Sequence, residues 1–246
     1  MITNLGQREV FHMAFLRQLA PRLKPASYAV KGGVNLRFFF GSIRYSEDMD
    51  LDIREIETFR LKEIVLDILG SRTLLTNLRP FMINKIVLPD MKVAKQTETT
   101  QRFKVHLMTE AGEDLFTKIE FSRRKFERSF ASENISETVL RPYKLTPFVV
   151  SHYLIDAAVL QKVAALANRA ETQGRDIFDI YMIMPRLEGI EIPKNIKEKA
   201  YQNIFNIDYE IFRDTVVDYL NPEDQKMYNK KEIWEDMQLK VGELLK

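Results

Sequence analysis

The stretch that most constrains this chain is VKGGVNLRFFFGSIRYSEDMDLDI, residues 30–53. It ends in aspartates at every second position, Asp48, Asp50 and Asp52, alternating with Met49, Leu51 and Ile53. Successive side chains of a β-strand point to opposite faces, so this alternation predicts a strand with an apolar inner side and carboxylates on the other. Upstream, residues 28–31 read as a short strand and Gly32-Gly33 as a turn. Residues 34–40 begin like a short helix that Gly41 stops. Strand, glycine turn, helix and strand in so short a span require a mixed α and β architecture.

The same stretch carries chemistry. Asp48 and Asp50 place two carboxylates side by side, and such a pair repels unless a cation sits between them. Hard oxygen donors suit Mg²⁺, which keeps several waters and accepts phosphate oxygens as further ligands. The Gly pair lacks Cβ atoms, so the backbone can approach a phosphate closely, and a helix starting there aims free N–H groups at the anion. Alone, alternating charges are commonplace on a solvated strand and Gly-Gly is mostly a turn. Together, at this spacing, they resemble the signature of the polymerase-beta-like nucleotidyltransferases.

That resemblance implies a third carboxylate on a neighbouring strand. Residues 115–122, LFTKIEFS, offer Glu120 between Ile119 and Phe121, with Asp114 as the fallback. Residues 81–88, 91–94, 103–108 and 115–122 all read as strands. Residues 123–137 show no clear period. Residues 5–20 and 58–70 carry helical spacing, and the pattern is helical from Pro147 to the end, punctuated by Pro185, Pro193 and Pro222. The expected fold is α+β: a nucleotidyltransferase-like domain over residues 1–145, with a mixed sheet flanked by helices, then a helical domain over residues 146–246.

A second cluster lies in VLQKVAALANRAETQGRDIFDIY, residues 159–181, where Lys162, Leu166 and Arg169 share a helical face. Arg175 and Asp179 are four apart, a spacing that also describes an ordinary salt-bridged helical hairpin. With these residues in hand, the chain resembles the AbiEii/AbiGii toxin family of nucleotidyltransferases. Lys31, Gly32, Gly33, Arg44, Ser46, Asp48 and Asp50 match that family's first motif. Lys118-Ile119-Glu120 resembles its Lys-x-Asp strand, with Glu for Asp. Lys162, Ala165-Leu166, Arg169, Arg175, Asp176 and Asp179 resemble its helical motif. Residues 55–110 and 190–246 carry no motif that aligns.

The resemblance implies a site. Asp48, Asp50 and Glu120 would hold two Mg²⁺ ions, with Mn²⁺ as the alternative. Lys31, Gly32, Gly33, Arg44 and Ser46 would line the nucleotide, and Lys162 would meet the β- or γ-phosphate of an NTP. The superfamily often has Ser after its Gly pair. Here Val34 stands there, which leaves the job to Ser42 or Ser46. Asp52 would stand behind the metal carboxylates. Asp176 would be needed for activity, orienting Lys162 or the nucleotide, with Asp179 sharing that role or pairing with Arg175. Arg169 is a further candidate. The helical domain thus contributes Lys162 and Asp176.

Family members are toxins of toxin–antitoxin pairs, and some transfer NMP to the 3′ end of tRNA. A tRNA acceptor, a cognate antitoxin protein and a cytoplasmic location are therefore expected. Arg123, Arg124, Lys125 and Arg128 follow the Glu120 strand and are candidate RNA contacts. The competing readings are a small-molecule or protein acceptor, and a catalytically silent nucleotide-binding member.

Composition narrows the field from outside. No cysteine is present, so thiolate zinc and disulfide frameworks are excluded, and His12, His106 and His152 are too scattered for a zinc site. There is no P-loop motif. The 37 Lys and Arg nearly balance the 35 Asp and Glu, which leaves any nucleic-acid surface to be local. No leader-like or membrane-spanning run is evident, so no membrane partner is expected.

Overall fold

The computed structural model describes every residue except Met1, Val93, Lys125, Arg128 and Glu188. It forms two compact units: Met1–Val34 with Tyr45–Tyr153, and Asn35–Arg44 with Leu154–Lys246.

The first unit is built on a sheet. Its strands are β1 (Tyr28–Lys31), β2 (Met49–Ile53), β3 (Ile83–Val87), β4 (Thr100–Thr109), β5 (Asp114–Ser122), β6 (Phe130–Asn134) and β7 (Val149–Tyr153). They lie in the order β3-β4-β5-β2-β1-β7-β6. The sheet is mixed, because β2 runs parallel to β5 and β1 parallel to β7, while the remaining pairs are antiparallel. The aspartate strand β2 is therefore interior, between β1 and β5. Its inner residues Met49, Leu51 and Ile53 are buried, as are Phe103, Ile119 and Phe121 of the neighbouring strands.

Helix α1 (Asn4–Leu19) packs on this sheet and on α3 (Thr58–Gly70) and α4 (Arg72–Leu78). Thr3 caps α1 and Ser71 caps α4, each hydroxyl accepting an orphan backbone N–H. Phe11, Phe15 and Leu16 of α1 fill the core beside His12, whose Nε2 lies 2.8 Å from the Thr117 hydroxyl of β5. That hydroxyl in turn donates to the Glu47 carbonyl at 2.7 Å, so His12 supplies the proton to Thr117. Burial, helped by Arg8, pushes the His12 imidazole down to about 3, which keeps it neutral. This relay fixes the backbone immediately ahead of Asp48.

Helix α2 (Gly32–Phe40) starts at the Gly pair, so Gly32 and Gly33 form its first turn, and from Asn35 onward its residues belong to the second unit. A short α5 (Glu137–Leu140) completes the first unit. The second is helical: α6 (Ile155–Asn168), α7 (Gly174–Ile183), α8 (Lys194–Asn203), α9 (Tyr209–Thr215), α10 (Pro222–Tyr228) and α11 (Lys231–Leu245). Its core joins Leu36 to Val163, Leu166, Ile177, Ile180, Phe212 and Trp234. Phe212 and Trp234 stack with ring centroids 4.2 Å apart.

Three local expectations differ from the fold. Residues 149–153 are strand β7, where helix is expected from Pro147. Val150–Tyr153 are buried one after another and the strand is held by pairing with β1 and β6, a cause that residue spacing does not carry. Residues 130–134, without visible period, are the edge strand β6. Met91 and Lys92 are turn rather than strand, with the Asp90 carboxylate accepting from the Lys92 N–H. Val93 lies outside the described residues.

Candidate active site

In the first unit, sheet order assembles the carboxylates. Asp50 pairs in register with Glu120 on one side and Lys31 on the other. Residues so paired have Cβ atoms about 5 Å apart on one face, and Asp48 lies two residues before Asp50. The Ser46 hydroxyl donates to the Asp48 carbonyl at 2.9 Å and shapes the approach to the strand. Gly32 has φ +69°, and a Cβ there would stand 3.3 Å from Asp50 Oδ2. Only glycine both adopts that conformation cheaply and leaves the carboxylate its room.

Cations close on this face. Lys118 Nζ is 2.7 Å from Asp48 Oδ2. Arg102 meets Glu120 Oε2 at 2.7 Å. Lys31 donates to Asp52 Oδ1 at 2.5 Å, and the Tyr153 hydroxyl donates to Asp52 Oδ2 at 2.8 Å. Asp52 is thus a buried anchor between β1 and β7. Burial, and then the Asp52 charge, push the Tyr153 phenol up. Burial also pushes the Asp50 carboxyl up. Lys31 and Lys118 oppose this, and the charges of Glu120 and Asp48 add to it. A carboxylate destabilised by its neighbours in this way binds a positive charge well.

Among the described residues, no three His, Asp or Glu side chains already converge on one point. The donor chemistry nevertheless fits a hard divalent ion: the three carboxylates are all oxygen donors, and basic side chains cover two of them. Arg102 and Tyr153 are partners that residue spacing alone does not expose. Arg102 carries a signal only once β4 is known to lie beside β5, and Tyr153 only once β7 is known to be a strand.

In the second unit, Lys162, Asp176 and Asp179 meet as the helical motif predicts. Lys162 Nζ lies 3.1 Å from Asp176 Oδ1 and 2.6 Å from Asp179 Oδ2. Arg169 Nε is 2.7 Å from Asp176 Oδ2, off the line of a good hydrogen bond. Arg44, expected at the nucleotide, makes a two-pronged contact with Asp179, at 3.0 Å and 2.9 Å. Asp176 and Asp179 are 0% exposed, Arg44 4% and Lys162 8%. Burial would raise the Asp179 carboxyl, but Arg44 and then Lys162 outweigh it and hold it at about 2. Asp179 therefore pairs with Arg44 and Lys162, and Arg175 makes no ion pair with it among the described residues. Three cations surround two anions, leaving one positive charge in excess. The Ser42 hydroxyl accepts the Arg44 backbone N–H at 3.4 Å, and the Arg37 guanidinium donates to the Ser42 and Ile43 carbonyls, so the segment carrying Arg44 is held in place.

Of the candidate RNA contacts, Arg123 turns inward to Gln101 Oε1 at 2.7 Å and to the Ile56 carbonyl at 3.4 Å, and burial lowers its guanidinium. Arg124 is exposed, and Lys125 and Arg128 lie outside the described residues.

A strand, a glycine pair opening a helix, and a second strand with alternate aspartates beside a glutamate strand define a nucleotidyltransferase. Residues 14–243 match the family described as nucleotidyl transferase AbiEii toxin, type IV TA system, and the chain belongs to that family. Several solved structures share the fold. One is the nucleotidyltransferase toxin MenT4 of Mycobacterium tuberculosis, with TM-score 0.60 and 14% identity, covering 98% of this chain and 84% of that one. JHP933 of Helicobacter pylori has TM-score 0.56 and 17% identity, covering 100% and 94%. A putative nucleotidyltransferase of H. pylori also has TM-score 0.56 and 17% identity, covering 99% of each chain. Among curated protein sequences, none matches significantly.

Proposed function

We propose that this toxin transfers NMP from an NTP to the 3′-hydroxyl of tRNA, with Mg²⁺ or Mn²⁺ held by Asp48, Asp50 and Glu120. The observation that carries this reading is the in-register pairing of Asp50 with Glu120 on a face where Gly32 leaves room beside Asp50. Asp48, Asp50 and Glu120 would hold the divalent ion, which would supply charge neutralisation at the triphosphate and a lowered pKa for the attacking hydroxyl. Phosphoryl transfer needs little else beyond position and charge. The acceptor hydroxyl gives up its proton to solvent water as its oxygen bonds to the α-phosphorus, the bond from the α-phosphorus to its bridging oxygen breaks, and pyrophosphate leaves with both electrons of that bond. The N–H groups opening α2 at Gly32 and Gly33 suit a phosphate oxygen. Lys118 and Arg102 balance Asp48 and Glu120 and would be the basic side chains nearest a triphosphate bound at those carboxylates.

On this reading Lys162, which Asp176 and Asp179 hold in place, would serve as a point charge for the triphosphate. Arg44 acts through Asp179 as a positioning residue. Both substrates are cytoplasmic, so the reaction is placed there. Among the described residues, no helix is long and apolar enough to cross a membrane. The family membership carries with it a cognate antitoxin as partner.

The test is label transfer from each of the four NTPs into total tRNA with Mg²⁺, beside Asp48→Ala and Asp50→Ala. Label in RNA with wild type alone supports the reading. Label in a protein or small molecule instead moves the acceptor, and nucleotide binding without any transfer makes the chain a silent member.

A further inference from the structure

The outer face of β4 and β5 continues from the carboxylates and is otherwise unassigned. The register places Arg102 opposite Glu120, Lys104 opposite Lys118, and His106 opposite Phe116. The intervening residues Phe103, Val105, Thr117 and Ile119 are buried in the core, so the two outer rows share one solvent-facing surface. Two features of that surface suit a ligand. Lys104 is exposed and makes no ion pair among the described residues, whereas Lys118 opposite it is held by Asp48 at 2.7 Å. Phe116 is 59% exposed. Its ring stacks on His106 with centroids 4.7 Å apart and planes at 24°, giving a flat aromatic plate. Asp114 touches His106 at 2.6 Å at the far end from Glu120.

We infer that this face is the track of a single-stranded RNA end running to Asp50 and Glu120. The inference rests on the RNA-acceptor reading and names the surface that reading requires. A phosphate of the strand can pair with the exposed Lys104. A base can stack on the exposed plate, as bases do on aromatic platforms for single strands. Glu120 lies four positions beyond Phe116, about 14 Å along an antiparallel strand, so a base on the plate lies upstream of a 3′ end at the carboxylates. Duplex RNA offers no free base face to such a plate, which favours an unpaired end.

The experiment is fluorescence anisotropy with a short unstructured oligoribonucleotide, across a salt series, on wild type, Phe116→Ala and Lys104→Ala. The same three proteins are assayed for label transfer into tRNA and for NTP affinity without RNA. Loss of one stacked base should weaken RNA binding roughly 5- to 140-fold in Phe116→Ala. Loss of one phosphate contact should reduce the slope of log K against log salt by about 0.7 in Lys104→Ala. KM for tRNA should rise in both, with NTP affinity and melting temperature unchanged, a pattern that a purely structural role would not give. If wild type labels RNA and both variants match it in RNA affinity and KM within twofold, the inference is overturned while the acceptor reading stands. If wild type labels only a different acceptor and does not bind the oligonucleotide, the acceptor reading has failed first and the track falls with it.

Discussion

Arg44 gives the sharpest test of how the helical unit is held. Its guanidinium reaches Asp179 through two hydrogen bonds, at 3.0 Å and 2.9 Å, and neither side chain is open to water. In Arg44→Met the fork is lost and Asp179 keeps only Lys162, 2.6 Å away. Removing one partner of a buried ion pair costs about 3 to 5 kcal/mol, because the other charge stays desolvated. The surviving lysine places this case near the lower end, about 3 kcal/mol. For a chain of this size each kcal/mol moves the midpoint by about 2 to 4 °C, so the melting temperature should fall by about 6 to 12 °C. Buried pairs are poorly screened, so the deficit should persist in high salt. Differential scanning calorimetry of wild type, Arg44→Met and Arg175→Ala at neutral pH reads all of this. Arg175 makes no ion pair among the described residues, and its loss should stay within about 0.5 kcal/mol. If Arg44→Met melted like wild type and only the KM for NTP rose, Arg44 would be a nucleotide ligand and the positioning role would be refuted.

Four further outcomes follow from the same charges. Gly32→Ala should abolish most transfer while costing about 1 to 2 kcal/mol in a denaturant melt, because φ +69° strains alanine and its Cβ crowds Asp50 Oδ2 at 3.3 Å. The raised Asp50 carboxyl means the native state holds this proton more tightly than the unfolded chain. Its stabilisation is therefore present at low pH and is lost as pH rises through the folded value. Asp50→Asn should accordingly melt higher than wild type at neutral pH yet be inactive, and Mg²⁺ at about a hundredfold its dissociation constant should add about 2.7 kcal/mol to wild type and little to Asp50→Asn. His12 works in the opposite sense: held neutral down to about 3, it stabilises the fold above its unfolded value near 6.5, and that stability drains as pH falls from there toward 3. His12→Gln should flatten this part of a stability–pH curve. Tyr153→Phe leaves Asp52 Oδ2 without its hydroxyl donor and should cost about 1 to 3 kcal/mol by urea titration.

What was legible in the sequence is what local period encodes. Period-two aspartates predict β2 and its outward row, and the Gly pair predicts the turn into α2 because no other residue adopts that backbone cheaply. The spacing of Lys162 and Leu166 predicts one face of α6, whereas Arg169 lies just past the helix end in extended backbone. Glu120 is legible as a lone acid in an apolar strand, yet its place beside Asp50 depends on β5 running parallel to β2, which no local pattern states. The partners of each charge were less legible. Arg175–Asp179 has the favoured i,i+4 spacing, but Asp179 faces the interior and is claimed by Arg44, 135 residues away in sequence. Strand β7 was hidden for the same reason, since its buried residues are covered by strands far from it along the chain.

This difference in legibility has a physical source that also bears on function. Residues whose chemistry must face a ligand are kept on regular elements, where the period shows. The charges that hold them are recruited from wherever the fold brings opposite sign. Asp48 borrows Lys118, Glu120 borrows Arg102, and Asp52 borrows Lys31 and Tyr153. On the proposed function, Lys118 and Arg102 sit where a metal ion would compete for the same carboxylates. The exposed pairs are therefore weakly held, as half-solvated ion pairs are, while the enclosed set of Arg44, Asp179, Lys162 and Asp176 is not. A double-mutant cycle on Lys118 and Asp48 should accordingly return a coupling below about 1 kcal/mol, and the same cycle on Arg44 and Asp179 a coupling several times larger. Equal couplings would mean that the sheet-face pairs are fixed structural bridges and do not yield to substrate.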